Sequence, residues 1–499
     1  MVKRDLLLSL DLGTSGVKAG AFDTRGKLVA RASARYDTMM PQPGWVEQNP
    51  EAWWAACRQA IREVARLIDP GRFLSMSMAG LSPSLVCVDE RGNPVRPAPI
   101  WSDRRAVAEV EELTNRLGYD TSFSLLPRLL WLKRNEPSSY ARTRAVFQTY
   151  EFISFKLTGQ AVSIAPLEQF PPWTSEGIQA SGLEREKFPP RIGNLGEVLG
   201  PLTPAVAAEC QLPAGLPVVA GTVDSFAAWI GTATTRKGVV CNTVGTSDGI
   251  ALVWDQPIRD QRGRVDSMPH VIGRDWIVGG ALSSGGITLD WFVRRFCDHL
   301  PNAFEIIADE ARSVPLGAEG LLALPHLMGE RSPINDPHAR AVFFGISEKH
   351  TRAHFARAVL ESVAYAVRDV CEVLVELGGE IEEVRVAGGG AQSDVWSQVK
   401  ADVLGRPVLV PEIADSGLLG AAIIAGWGVR EFGDLSDAAT AMVKFRRTLD
   451  PRPEHHDLYT RLFGFYQDLY RHLKDDFARM AELNRVIGLE LSITEHATW

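Results

Sequence analysis

Two stretches, Leu10-Asp11-Leu12-Gly13-Thr14-Ser15-Gly16 and Asn242-Thr243-Val244-Gly245-Thr246-Ser247-Asp248, share one layout. Each is an apolar strand, a Gly-Thr-Ser turn and the start of a second strand. A tight turn of this composition exposes backbone N–H groups and hydroxyls with no bulky side chain in the way, which makes a cradle for phosphate oxygens. Two copies this far apart cannot be neighbours in a solenoid, so they point to a duplicated lobe.

The surroundings of each copy agree. Around the first, residues 6–10, 17–22 and 27–34 read as three strands separated by turns. Asn49-Pro50-Glu51 opens a helix to about residue 68, with Trp53, Cys57, Ala60, Ile61 and Val64 along one face. Strands at 74–79 and 85–88 follow. Around the second copy, strands at 239–244 and 249–254 lead to a helix over 351–376, a strand at 384–387, Gly388-Gly389-Gly390 and a helix over 394–404. A strand at 408–410, an Ala/Gly-rich helix over 418–427 and an amphipathic helix over 456–483 complete the chain. Strands alternating with helices indicate α/β lobes. The 499 residues exceed one comfortable core, so an N-terminal lobe over 1–240 and a C-terminal lobe over 241–499 are expected.

Composition narrows the function classes. The chain is 45% hydrophobic and 23% charged with a formal net charge of -8, so it can build large cores and lacks the basic footprint of a nucleic-acid binder. No apolar run is long enough to cross a bilayer, and the N-terminus leads straight into a strand instead of a signal-peptide layout. Cys57, Cys87, Cys210, Cys241, Cys297 and Cys371 stand singly, without a C-x-x-C pair. A cytoplasmic protein with free core thiols and no membrane partner is the expectation.

Several residues have the chemistry of a phosphate site. Asp11 ends its strand where a carboxylate can orient hydrated Mg²⁺, and Lys18 can add positive charge toward phosphates. The spacing is not that of a Walker A loop. Gly388–Ser393 lies between a strand and a helix, where three glycines let a flat ligand approach the backbone. Asp224 has two local readings, a cleft-facing carboxylate at a strand end and a helix N-cap. His350 and His354 have helical spacing but no third ligand, so a solvated helix start is expected. Trp45, Trp53, Trp54 and Trp101 could stack a sugar or fill a core.

Taken in order, these motifs resemble the FGGY family of carbohydrate kinases, within the superfamily of actin, hexokinase and the heat-shock-chaperone ATPases. The resemblance runs from about Leu6 to Trp427. It rests on residues 11–15, Trp101-Ser102-Asp103-Arg104-Arg105, Asp224 with its small-residue helix and residues 245–247. Residues 329–333, 335–337, 343–345, 388–393 and 401–408 continue the series. The resemblance implies an α/β fold of two ribonuclease-H-like lobes with an ATP and sugar cleft between them. It implies ATP and Mg²⁺ as cofactors and a small sugar or polyol as substrate. It assigns Asp224 as general base and Asp11 as the carboxylate near the metal. Thr14, Ser15, Lys18, Gly245 and Thr246 become phosphate contacts. Gly285 or Gly286, Gly389, Gly390, Ala391 and Asp394 become the nucleotide side.

Within the family the pattern looks most like xylulokinases, at residues 101–105 and 127–132. Ser82, Pro83, Trp101, Asp103 and Asp224 fall at the sugar-contacting positions. The loop Gly80-Leu81-Ser82-Pro83-Ser84 departs from the xylulokinase Gly-Gln-Met-His-Gly, because Pro83 stands where the His is expected. Residues 165–173 also depart. A ketopentose such as xylulose is the expected substrate, with a polyol, tetritol, hexulose or aldonate as alternatives. A non-kinase ATP-binding regulator on the same fold is the competing class, and Asp224 discriminates, because a binding module needs no base. The oligomeric state is left open, a homodimer among its options.

Overall fold

The computed structural model describes residues 3–167, 171–245 and 247–486. The chain forms two compact units. One contains the chain up to Ala233 together with Ser416–Val443, and the other contains Thr234–Asp415 and the segment from Lys444.

The first unit is built on a seven-stranded sheet. Its strands run in the order Val198–Pro201, Pro217–Val219, Phe73–Gly80, Leu6–Gly13, Gly16–Asp23 and Leu28–Arg35, and Thr222–Val223 also pairs with Phe73–Gly80. Leu6, Leu7, Leu8, Leu10 and Leu12 are all buried. A strand buried on both faces must be covered on both. The even positions pack with Trp53, Cys57, Ala60, Ile61 and Val64 of the helix Pro50–Leu67. That helix starts where the Asn49 side chain accepts from Glu51 N at 3.0 Å and Pro50 takes the first helical position. Leu7, on the other face, meets the helix Ser416–Gly428, whose Gly426 would place a Cβ 3.0 Å from it.

This second helix corrects the expected boundary at residue 240. Ser416–Gly428 is buried almost all round and belongs to the first unit. Ser75 Oγ donates to Ala425 O at 2.7 Å. A Cβ on Gly420 would fall 1.9 Å from Ala227 O, and one on Gly231 1.8 Å from Ser416 O, so only glycine lets this helix lie on Asp224–Gly231. Its uniform apolarity tells that it is buried, not against which sheet.

The second unit repeats the plan. Its seven-stranded sheet runs Asp266–Pro269, Trp276–Leu282, Asp248–Trp254, Val239–Val244, Glu383–Ala387, Val408–Pro411 and Phe445–Leu449. Val239–Val244 pairs antiparallel with the strand after its turn and parallel with Glu383–Ala387. The helix Arg352–Glu376 covers this sheet with Val367, Val370 and Leu374. The helix Pro453–Val486 adds Tyr459, Phe463 and Tyr466 around Tyr365. All six cysteines are buried free thiols. Among the described residues no helix is long and apolar enough to cross a membrane.

Burial favours the neutral form of His270 in this unit. Its Nδ1 accepts from Ile272 N at 2.7 Å, with Ile272 O 3.2 Å away, and its Nε2 donates to Thr234 O at 2.9 Å. Burial pushes its pKa down from 6.5 to about 4. The unfolded chain therefore binds a proton below pH 6.5 that the folded protein refuses until about pH 4. His270 costs nothing above that window, and stability falls through it on acidification, by about 3 kcal/mol in all. Urea unfolding at pH 7 and pH 4.5 measures this decline, and His270→Gln, which keeps one donor and one acceptor, should flatten it.

Candidate functional site

In the first unit three parallel strands end side by side. Asp11 and Thr222 both pair with Ala79, and Leu12 and Val223 both pair with Gly80. With strands about 4.8 Å apart, the Gly13 turn, the loop after Gly80 and Asp224 leave the sheet from one edge. The carboxyl edge of parallel strands is where α/β sheets hold ligands.

The first Gly-Thr-Ser turn is held from behind. Tyr36 Oη donates to Gly13 O at 2.6 Å and Gln48 Nε2 to Thr14 O at 2.6 Å. Trp53 Nε1 donates to Gln48 Oε1 at 2.8 Å and so fixes that amide. Trp101 is 40% exposed and points Nε1 at Thr14 Oγ1, 3.4 Å away. Ser15 is exposed at the tip. Asp11 and Lys18 are direct cross-strand partners and therefore share a face. On that face Gly417, in the first turn of Ser416–Gly428, would bring a Cβ within 3.1 Å of Asp11 Oδ2. Glycine there keeps a Cβ from crowding the carboxylate at a helix N-terminus, where negative charge is favoured.

Asp224 is not the N-cap; Val223 is, and Asp224 is the first residue of Asp224–Gly231. Its Oδ1 accepts from Ser225 N at 2.7 Å. Desolvation, and then the charge of Asp11, push its pKa up to about 7. A carboxyl in that range suits proton transfer at neutral pH.

The sugar-side expectations divide. Ser82 is half-buried and Pro83 buried. Ser84 is turned inward, its Oγ 2.6 Å from Thr149 Oγ1 and its N donating to Gln148 Oε1 at 2.8 Å. Asp103 is a correction. It is buried, and its Oδ2 accepts from Val46 N at 2.7 Å and Arg105 Nη2 at 2.7 Å, while Oδ1 accepts from Arg105 Nε at 2.8 Å. With both oxygens committed, its role is to hold Arg105 over the Trp45 ring, 3.8 Å from the centroid.

In the second unit Gly245, Gly285–Gly286 and Gly388–Gly390 meet closely. A Cβ on Gly286 would fall 2.3 Å from Gly245 O, one on Gly388 2.6 Å from Val244 O, and one on Gly390 2.2 Å from Val244 Cγ1. Gly388 has φ +79°, a conformation glycine tolerates best. A Cβ on Gly389 would meet nothing within 4 Å, so that backbone is open to a ligand. Ala391 is buried beneath it. Thr246 lies outside the described residues. Asp394 departs from its expected nucleotide contact: its carboxylate pairs with Arg446 at 2.7 Å and Arg447 at 2.6 Å.

His354 Nδ1 accepts from Thr351 N at 3.1 Å and His350 Nδ1 from Ser347 N at 3.0 Å, so both serve the helix start. Tyr36, Gln48 and Gly417 were missed by sequence reasoning. Gly417 had a signal, a glycine opening an otherwise apolar helix. Gln48 had none, since its role depends on Trp53 arriving beneath it.

This arrangement has counterparts. The N-terminal domain of the FGGY family of carbohydrate kinases matches residues 6–231 and the C-terminal domain of that family matches residues 240–429. A xylulose kinase of Bacillus subtilis is 29% identical over 493 residues, covering 94% of this chain and 97% of that protein. A gluconokinase of the same organism is 26% identical over 508 residues, covering 96% and 98%. The crystal structure of a xylulose kinase from Rhodospirillum rubrum superposes with a TM-score of 0.79 at 28% identity, covering 95% of this chain and 100% of that one. Two α/β units with these glycine turns, matched by both family domains, make the chain a member of the FGGY family of carbohydrate kinases, a sugar kinase that uses ATP as co-substrate.

Proposed function

We propose that the protein transfers the γ-phosphoryl group of ATP to a hydroxyl of a ketopentose, xylulose first among them. The observation that carries this reading is that Asp11 and Thr222 share Ala79 of Phe73–Gly80, so that Asp224, two residues on, leaves the sheet at the edge of Asp11 with its pKa pushed up to about 7. In the step, the sugar O–H proton passes to the Asp224 carboxylate as the hydroxyl oxygen bonds to γ-phosphorus. The bond from γ-phosphorus to the β–γ bridging oxygen breaks and ADP leaves. Such a transfer depends on in-line placement and charge neutralisation more than on covalent help. Thr14, Ser15 and Lys18 in the first unit, and Gly245, Thr246, Gly285, Gly286, Gly389, Gly390 and Ala391 in the second, are the phosphate and nucleotide contacts of this reading.

Mg²⁺ fits the residues present. It keeps most of its waters and uses one or two carboxylates plus substrate phosphates, and Asp11, at the strand edge beside Gly417, is a carboxylate of that kind. When bound it would neutralise phosphate charge, with Asp11 as its protein carboxylate.

A second reading, an aldonate as acceptor, is favoured by the gluconokinase relative and by the loop at Ser82 and Pro83. Pro83 offers no side-chain donor and Ser84 is turned inward, so Ser82 is the loop's remaining hydroxyl.

Asp224→Ala should lower sugar-dependent ADP formation by about 10²- to 10⁴-fold, the range of a general base, while calorimetry still detects ATP binding. Turnover left intact would remove the base assignment. ADP release across ketopentoses, a tetritol, a hexulose and gluconate should be highest with a ketopentose, and gluconate ranking first would select the second reading. Asp103→Ala should leave the buried Arg105 with Glu47 as its remaining carboxylate partner, 2.7 Å away, and lower stability by about 1.5–3 kcal/mol in urea unfolding, rather than raise the sugar KM of a stable enzyme.

A further inference from the structure

Behind the second Gly-Thr-Ser turn lies a buried ion pair that the phosphate chemistry above does not use. Asp248 follows the turn directly and is 1% exposed, and Lys400, in the helix Asp394–Leu404, is also 1% exposed. Lys400 Nζ donates to Asn242 Oδ1 at 2.5 Å and lies 3.5 Å from Asp248 Oδ2. Asn242 Nδ2 donates to Asp248 Oδ2 and to Gly249 O, each at 3.3 Å. One knot thus joins the strand before the turn, the strand after it and the helix that follows the Gly388–Gly390 loop. Asp248 Oδ1 has no hydrogen bond of good geometry and faces the start of the helix Gly286–Phe296; desolvation pushes the Asp248 carboxyl up, and Lys400, Asn242 and the Gly286 N–H oppose that push. A Cβ on Gly285 would fall 2.0 Å from that oxygen.

The first turn has Gly16 where Asp248 stands. A buried ion pair costs several kcal/mol of desolvation per ion and is often outperformed by an apolar pair, so stability is a poor reason for it. A bare carboxylate at a phosphate cradle would also repel a polyphosphate in a low-dielectric setting. We propose that Lys400 is a positioning residue for the nucleotide: it cancels the Asp248 charge and, through Asn242 and Asp248, holds Gly245 and Ser247 in the place that accepts phosphate. The proposal rests on reading that turn as a nucleotide contact.

The test uses the full chain and measures the KM for ATP, the KM for the sugar, kcat and the thermal unfolding curve. Lys400→Met should raise the ATP KM about tenfold with the sugar KM changed less than about twofold, a split that uniform loosening of the fold would not produce. In the Asp248→Asn/Lys400→Met double variant an amide at 248 can donate to the Asn242 oxygen that lost its lysine, and the ATP KM should return to within about threefold of wild type. An unchanged ATP KM in folded Lys400→Met, or a loss that the double variant does not restore, overturns the proposal. Should Lys400→Met not fold, Lys400→Gln keeps a donor for Asn242 without the charge; a several-fold higher ATP KM is expected, and no change overturns the proposal. Gly286→Ala separates the underlying reading, because its methyl presses on Gly245 O. If it leaves the ATP KM unchanged, the turn is not a nucleotide contact; if it raises the ATP KM while Lys400→Met does not, the role of Lys400 alone fails.

Discussion

Phe73–Gly80 pairs in parallel with Leu6–Gly13 on one side and with Pro217–Val219 and Thr222–Val223 on the other, and the edge of the first unit that carries the candidate site depends on the register of those pairings. Ala79 stands between Asp11 and Thr222, and Gly80 between Leu12 and Val223. Side chains alternate along a strand, so a slip of one residue would turn Asp11 from the face of Gly417 to the face of Trp53. Leu6, Leu8, Leu10 and Leu12 resist such a slip, because it would turn them away from the helix Pro50–Leu67 that they pack against. Packing of the core and placement of the carboxylate are therefore one constraint.

Around that edge, polar side chains do more holding than binding. Trp53 fixes Gln48 and Gln48 fixes the Thr14 carbonyl. Below the loop at Ser82, Glu151 Oε2 accepts from Gln148 N at 2.7 Å, and Gln148 in turn accepts from Ser84 N. Burial pushes Glu151 up to about 7 even though its other oxygen accepts from Ile164 N. Each buried polar group is costly unless satisfied, so these chains of bonds give the loops few alternative shapes. The Lys400 knot in the second unit follows the same logic with full charges.

Much of the fold was legible in the sequence because the deciding signals are local. Strands at 6–10 and 239–244 are apolar runs ended by Gly-Thr-Ser, and the helix at 351–376 has its own periodicity. Asp11 and Asp224 were legible as candidates because each ends a strand. Asp103 and Asp394 looked equally functional, since an acidic residue in a motif carries no mark of what it will meet. One met Arg105 and a backbone N–H, the other Arg446 and Arg447. Those partners lie from two to nearly sixty residues away, and the decisive ones are distant.

By itself the sequence determined two α/β units, their Gly-Thr-Ser turns and the family, because strand periodicity, glycine turns and ordered motifs act over short stretches of chain. Tertiary structure alone decided that Ser416–Gly428 returns to the first unit, that Gly417 makes room for Asp11, and that Asp224 is pushed toward neutral pH. These depend on which surfaces meet and how much water they exclude, and no local pattern encodes that.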